Sequence, residues 1–276
     1  MKLILSRKGF DSSFGGCPSP IFEDGSFLSL PIPDKDSSTR FSDIGGSLPI
    51  GQLVEDLSPR VKASCGVHLD PDLRMDSRPR KRGWRPMFGQ ADSAQGHLQK
   101  QGIDRGDIFL FFGWFRRVQQ RNGLFLYQPG ARDIHMLFGW LEVGEIWSMS
   151  EDKDLQIPDW AKDHPHVVNG SFKKNTIYIT AQTATGFAAG TFRSAVEELI
   201  LTREDKTRSR WRLPHWFYPS EGKSQLSYHS NIARWTQYEN YAYLRSVGRG
   251  QEFVLDTKDY PEAVDWANDL IAKNAY

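Results

Sequence analysis

The amino-acid sequence predicts a mixed, strand-rich α+β protein, a single integrated domain over residues 1–276 with helices at its periphery. Three observations carry that expectation. Apolar runs rich in aromatic and β-branched residues recur at 108–115, 135–147 and 175–180. Helical 3-4-7 spacing is confined to short segments and to the C-terminal end. No internal repeat, heptad seam or long Gly/Ser- or Pro-rich linker divides the chain. Two subregions are distinguishable: 1–105, where polar loops predominate, and 106–276, which is β-rich and ends in a helix.

In order, residues 3–5 read as a short buried strand that ends in a polar, glycine-containing turn at 6–20. Residues 26–32 read as extended, and Ile50, Leu53, Val54 and Leu57 have the spacing of a short helix. The segment 74–85 carries five arginines and a lysine with little to bury, and reads as a solvated loop. Asp92 or Ser93 is expected to cap a helix that Gly102 stops. Asn122-Gly123 predicts a hairpin turn between 107–115 and 124–127, and Gly139 a kink in the strand 135–147. Residues 175–180, 197–201 and 252–255 are the remaining expected strands. Pro261 opens a terminal helix whose Ala263, Val264, Ala267, Leu270 and Ile271 share one stripe.

Composition excludes several function classes. With 35 Lys and Arg against 34 Asp and Glu, the net charge of +1 gives no global field for nucleic acid or anionic membrane, so any polyanion site must be local. Cys17 and Cys65 are too few for a disulfide framework or a Cys-rich zinc site. The longest apolar run falls far short of the ~20 residues that cross a bilayer, and the N-terminus lacks a signal-peptide core. The expectation is a cytoplasmic protein without a membrane partner.

Four groups of residues are candidates for chemistry. Arg7, Lys8 and Asp11 follow the first strand and precede Gly15 and Gly16; cations beside free backbone N–H groups hold a phosphate or carboxylate, with Asp11 as base or metal ligand, or else the turn is a surface ion pair. In an extended stretch His68 and Asp70, and with them Asp72, project to one side and suit a divalent metal or a polar substrate, with His97 and Asp11 as the further ligands to test. Gln95 and His97 on the short helix offer an amide and an acid–base group. Arg80, Arg82 and Trp84, and again Arg210, Trp211 and Arg212, interleave cations with aromatic faces in the manner of a nucleic-acid contact. His164-Pro165-His166 reads as an exposed proline turn, and Cys17 as either a nucleophile or a packing residue.

Residues 6–12 with Gly15-Gly16 and 18–21, the segment 68–73, Gly96-His97-Leu98 and the segment 106–113 together resemble the nucleotide modification associated domain 3 family over nearly the whole chain. The resemblance implies a bacterial or phage protein from systems that modify nucleotides or DNA bases, with no inherited catalytic residues. Residues 106–107 and 138–146 are locally similar to PUA-like and EVE-like strand patterns, which implies a PUA-like β-barrel-type core. Three functions are therefore carried forward. The first is an enzyme of nucleotide or nucleic-acid base modification, in which Asp11, His68, Asp70 and His97 do chemistry and Arg7, Lys8, Gly15, Gly16 and Gln95 bind substrate. The second is a non-catalytic reader of modified bases in DNA or RNA, and the third a structural partner among the proteins of a modification or defence complex.

Overall fold

The run 108–115 becomes the spine of the fold because both of its faces are buried, as an apolar strand without alternation requires. The structure is a computed structural model that describes every residue except Ser47, Gly170, Ser171, Thr185, Asp205 and Arg249. In chain order the strands are β1 (Lys2–Arg7), β2 (Ser19–Ile21), β3 (Met87–Gln90), β4 (Ile108–Arg121), β5 (Leu124–Tyr127), β6 (Ile134–Ser148) and β7 (Thr176–Thr180). They continue with β8 (Gln182–Thr183), β9 (Gly186–Phe187), β10 (Ala189–Thr191), β11 (Arg210–Pro214), β12 (Trp235–Gln237), β13 (Tyr241–Arg245) and β14 (Glu252–Asp256). The helices are α1 (Ile50–Leu57), α2 (Asp92–Gln101), α3 (Pro165–Val168) and α4 (Glu262–Asn274).

The main sheet runs β14-β1-β4-β6-β7-β3, with β2 and β5 pairing along β4 and β10 along β6. β1 is parallel to β4 and antiparallel to β14, so the first and last strands of the chain share the sheet with its spine. Phe88, Phe109, Phe111 and Tyr178 stack between β3, β4 and β7 in the principal core. A second cluster gathers α1 and the 10–30 loops, and a third gathers Trp84, Met87 and Ile177. β11, β13 and β12 form a smaller sheet.

Local chemistry explains most elements. Asn122 and Gly123 both have positive φ, the requirement of a two-residue primed turn. The kink expected at Gly139 is a register shift, with Phe111 opposite Gly139 and Phe112 opposite Leu137, so Phe138 is the extra residue. Gly102 adopts the left-handed conformation that ends α2, whereas at its start Ala91 is the N-cap and Asp92 the first residue, without a side-chain cap.

Two expectations are corrected and a third, the PUA-like core, is not confirmed. Residues 197–199 form a 3-10 turn instead of a strand: Glu197 and Glu198 stay exposed while Leu199 N–H closes back on Val196 O. The segment 74–85 is not simply solvated, because Arg80 and Trp84 are buried and stacked with the guanidinium 4.1 Å from the ring centre. The sheet is open at its β14 and β3 edges, so the strand-rich class stands while the topology lends no support to a PUA-like barrel. Among the described residues no helix is long and apolar enough to cross a membrane.

Candidate functional site

β3 pairs with β7 along one edge, and residues 70–72 lie along the other. Asp72 and Met87 exchange two backbone hydrogen bonds of 2.9 and 3.0 Å, but at Gly89 the N–H donates to the Asp70 carboxylate at 2.7 Å. A side chain thus continues the ladder where backbone would. His68, two residues earlier in an extended run, comes to the same side, and His166 arrives from α3. One ligand atom from each of His68, Asp70 and His166 lies within 4.8 Å of the other two.

Hydrogen bonding fixes the two imidazoles. Asn175 Nδ2 donates to the His166 carbonyl at 2.6 Å, so Asn175 Oδ1 is the acceptor for His166 Nδ1–H at 2.7 Å. His166 Nε2 therefore keeps its lone pair. His68 Nδ1 faces Asp34 Oδ2 at 3.2 Å; a carboxylate oxygen only accepts, so the free lone pair of His68 is on Nε2. His164 Nδ1 accepts from His166 N–H at 3.3 Å, which places its proton on the buried Nε2, 3.4 Å from Asp70 Oδ1. Imidazoles oriented through their far nitrogens and a carboxylate held by outer groups are the supports a metal-ligand set uses.

The protonation states agree with that use. Burial alone raises the Asp70 pKa, but the imidazoles of His164, His166 and His68 outweigh it and hold the carboxyl at about 2. Burial pushes His166 down to about 4, more than the neighbouring Asp70 raises it. At neutral pH Asp70 is a carboxylate and His166 a neutral imidazole, the forms in which those two groups coordinate a divalent first-row cation.

Gly89 makes room for this cluster. A Cβ built there would lie 2.2 Å from His166 Cδ2, and its three nearest neighbours are all atoms of that ring. Gly89→Ala is expected to leave the fold intact, swing His166 aside and weaken divalent-cation affinity by tenfold or more. Unchanged affinity in a metal titration of the variant would remove His166 from the set.

His68 and His166 line a cleft of about 740 Å³, together with Gln90, His97, Glu252 and the exposed rings of Phe14 and Tyr228. Glu252 on β14 is buried; its Oε1 accepts from Lys8 at 2.8 Å and Gln90 Nε2 at 2.6 Å, and its Oε2 is buried without a partner. His97 Nε2 meets Ser227 Oγ at 3.0 Å, its ring lies 4.5 Å from Tyr228, and burial lowers its pKa. Tyr228 has φ +65, a left-handed strain that a non-glycine residue rarely bears and that gathers at functional sites.

The structure brings His68, Asp70 and His97 to this region, with His97 outside the three-residue group and Lys8 at the cleft's edge on Glu252, and gives the other candidates other partners or places. Asp72 is turned to Arg80, at 2.6 and 2.7 Å. Asp11 lines a different cavity and uses Oδ1 to accept from Ser13 and Phe14 N–H groups. Lys8 is matched by Glu252. Gln95 is buried and accepts from Tyr178. Gly15 and Gly16 both need positive φ, and a Cβ on Gly15 would strike Phe10 at 2.2 Å, so backbone packing accounts for them. Of the cation–aromatic candidates, Trp84 and Trp211 are internal and cannot stack on a base; Arg80 is spent on Asp72 and Arg212 on Glu197, while Arg82 and Arg210 are exposed. Cys17 is buried, which raises its thiol pKa and favours the packing role.

Sequence reasoning missed His166, His164, Gly89 and Glu252. The expectation of exposed histidines at 164–166 is corrected: both are buried against Asp70. A family model described as nucleotide modification associated domain 3 matches residues 2–256. No curated protein and no solved structure matches the chain.

Proposed function

Because the chain belongs to the nucleotide modification associated domain 3 family, we propose that it is an enzyme of nucleotide or nucleic-acid base modification working in the 740 Å³ cleft, with a divalent cation held by His68, Asp70 and His166. The observation that carries this reading is the convergence of those three ligand atoms within 4.8 Å, each already oriented by an outer partner. The cation would supply Lewis acidity or an activated water. The protein's own contribution is recognition: the exposed faces of Phe14 and Tyr228 suit a base, and the unpartnered Oε2 of Glu252 suits an N–H or O–H donor of the substrate. His97, whose lowered pKa keeps it neutral near pH 7, lines the same cleft and is available there to exchange a proton.

Elemental analysis of the purified protein tests the reading. The expected result is one iron, zinc or manganese per chain, lost in His68→Ala, Asp70→Ala and His166→Ala variants that remain folded. A parent chain that stays metal-free after reconstitution sinks it. The same exposed rings would serve a non-catalytic reader, which predicts salt-sensitive binding of DNA or RNA that survives all three substitutions.

A further inference from the structure

A second cavity, of about 430 Å³, shares a wall with the cleft. In the turn after β1, Phe14 lines the cleft while Ser12 and Ser13 line the second cavity; near β14, Gly250 and Gly248 divide in the same way. Arg7 spans this wall, because its Nη2 donates to Gly248 O at 3.0 Å and Gly250 O at 2.5 Å.

The cavity collects two guanidinium groups, with the Asp11 carboxylate on its wall outside ion-pair distance of either. Arg208 lies 4.0 Å over the Trp114 ring and donates to Ser12 Oγ at 3.0 Å. Among the described residues no carboxylate lies within ion-pair distance of Arg7 or Arg208, and the Asp11 oxygen nearest the turn is occupied by two backbone N–H groups. His135, 6% exposed, lines the same space. Its Nδ1 accepts from Trp211 Nε1–H at 3.0 Å, and an indole N–H only donates, so the imidazole proton is on Nε2. That N–H has no acceptor among the described residues. Burial and the charges of Arg208 and Arg7 depress the His135 pKa, and burial, with Arg208 and against the opposing charges of Asp11 and Glu252, lowers that of Arg7. Two guanidinium groups and a fixed neutral donor around one cavity are complementary to an anion.

We propose that this cavity binds a phosphate group, held by Arg7, Arg208 and His135 Nε2–H. The proposal rests on the cleft reading only for the identity of the ligand: the phosphate ester of a nucleotide whose base enters the neighbouring cleft. A mononucleotide and a nucleic-acid backbone present the same chemistry there.

Calorimetric titration of the full-length chain with inorganic phosphate, a nucleoside, the matching nucleoside 5′-monophosphate and an oligonucleotide lacking a terminal phosphate tests this. Phosphate and the monophosphate are expected to bind the parent and to lose tenfold or more in affinity in Arg208→Gln, while the nucleoside is unaffected. Sensitivity of the oligonucleotide to the same change assigns the phosphate to a backbone, and insensitivity assigns it to a mononucleotide; both support the site. Phosphate that fails to bind the parent at millimolar concentration, or binds Arg208→Gln equally well, overturns it. Should that variant misfold, the His135 Nε2 resonance of the parent gives the answer, since it must shift on phosphate addition. Metal content is read separately, so loss of this site leaves the His68–Asp70–His166 reading standing, and the reverse.

Discussion

Asp72→Ala is expected to destabilise the protein by about 3–5 kcal/mol, as the loss of one member of a buried ion pair does. Asp72 and Arg80 have side-chain exposures of 2% and 6%, and their two bonds of 2.6 and 2.7 Å form a fork-to-fork pair. Arg80 also donates to Ser77 Oγ at 2.6 Å and covers Trp84, so the guanidinium cannot swing out to water without unpacking the third core cluster. Removing the carboxylate therefore strands a charge. Urea unfolding of the variant beside the parent measures the effect, and a loss below about 1 kcal/mol, the scale of an exposed pair, would contradict it. Because Asp72 also pairs with Met87 through backbone, the Asp70 carboxylate is expected to lose its seat as the segment loosens.

Mild acid is expected to destabilise the fold through two histidines outside the His68–Asp70–His166 group. Burial, aided by Arg208 and Arg7, sets His135 down to about 3; burial, outweighing its bond to the Ser227 carbonyl, sets His229 down to about 4. Both are neutral in the folded chain and have pKa values near 6.5 when unfolded. Below pH ~6.5 the unfolded chain takes up protons that the folded chain refuses, so stability falls as pH drops towards 4 and is flat above. The slope is about 1.4 kcal/mol per pH unit for each histidine, or on the order of 3 kcal/mol each by pH 4. Stability from urea titrations at several pH values should show His229→Gln with a slope shallower by about one histidine. An unchanged slope would remove His229 from the account.

Much of the fold was legible because single segments dictate it. The Asn122-Gly123 turn, the Gly102 stop and the stripe of α4 each follow from local geometry. His68 and Asp70 were legible for the same reason: residues two apart in an extended run share a side whatever the rest of the chain does. His166 was not, because its role depends on α3 reaching across to β3 and on Gly89 yielding space, and a His-Pro-His turn carries no local sign of either. Arg80 and Trp84 were misread for a related reason. An arginine-rich segment looks solvated until the buried carboxylate of Asp72, on a neighbouring extended segment, is known. Glu252 was read as part of an ordinary strand, which it is; only the pairing of β14 with β1 shows that its side chain enters the cleft beside Lys8.

The pairing of β1 with β14 also governs how the protein is made. β1 has one lasting neighbour in β4 and another, β14, that is synthesised some 250 residues after it. Until β14 emerges, one edge of β1 is an open row of backbone donors and acceptors, a template for wrong partners in a crowded cell. Glu252 and the residues around it complete the cleft only at that late moment. A nascent chain therefore holds His68, Asp70 and His166 before it has Glu252, and the cleft is complete only with the closing of the sheet.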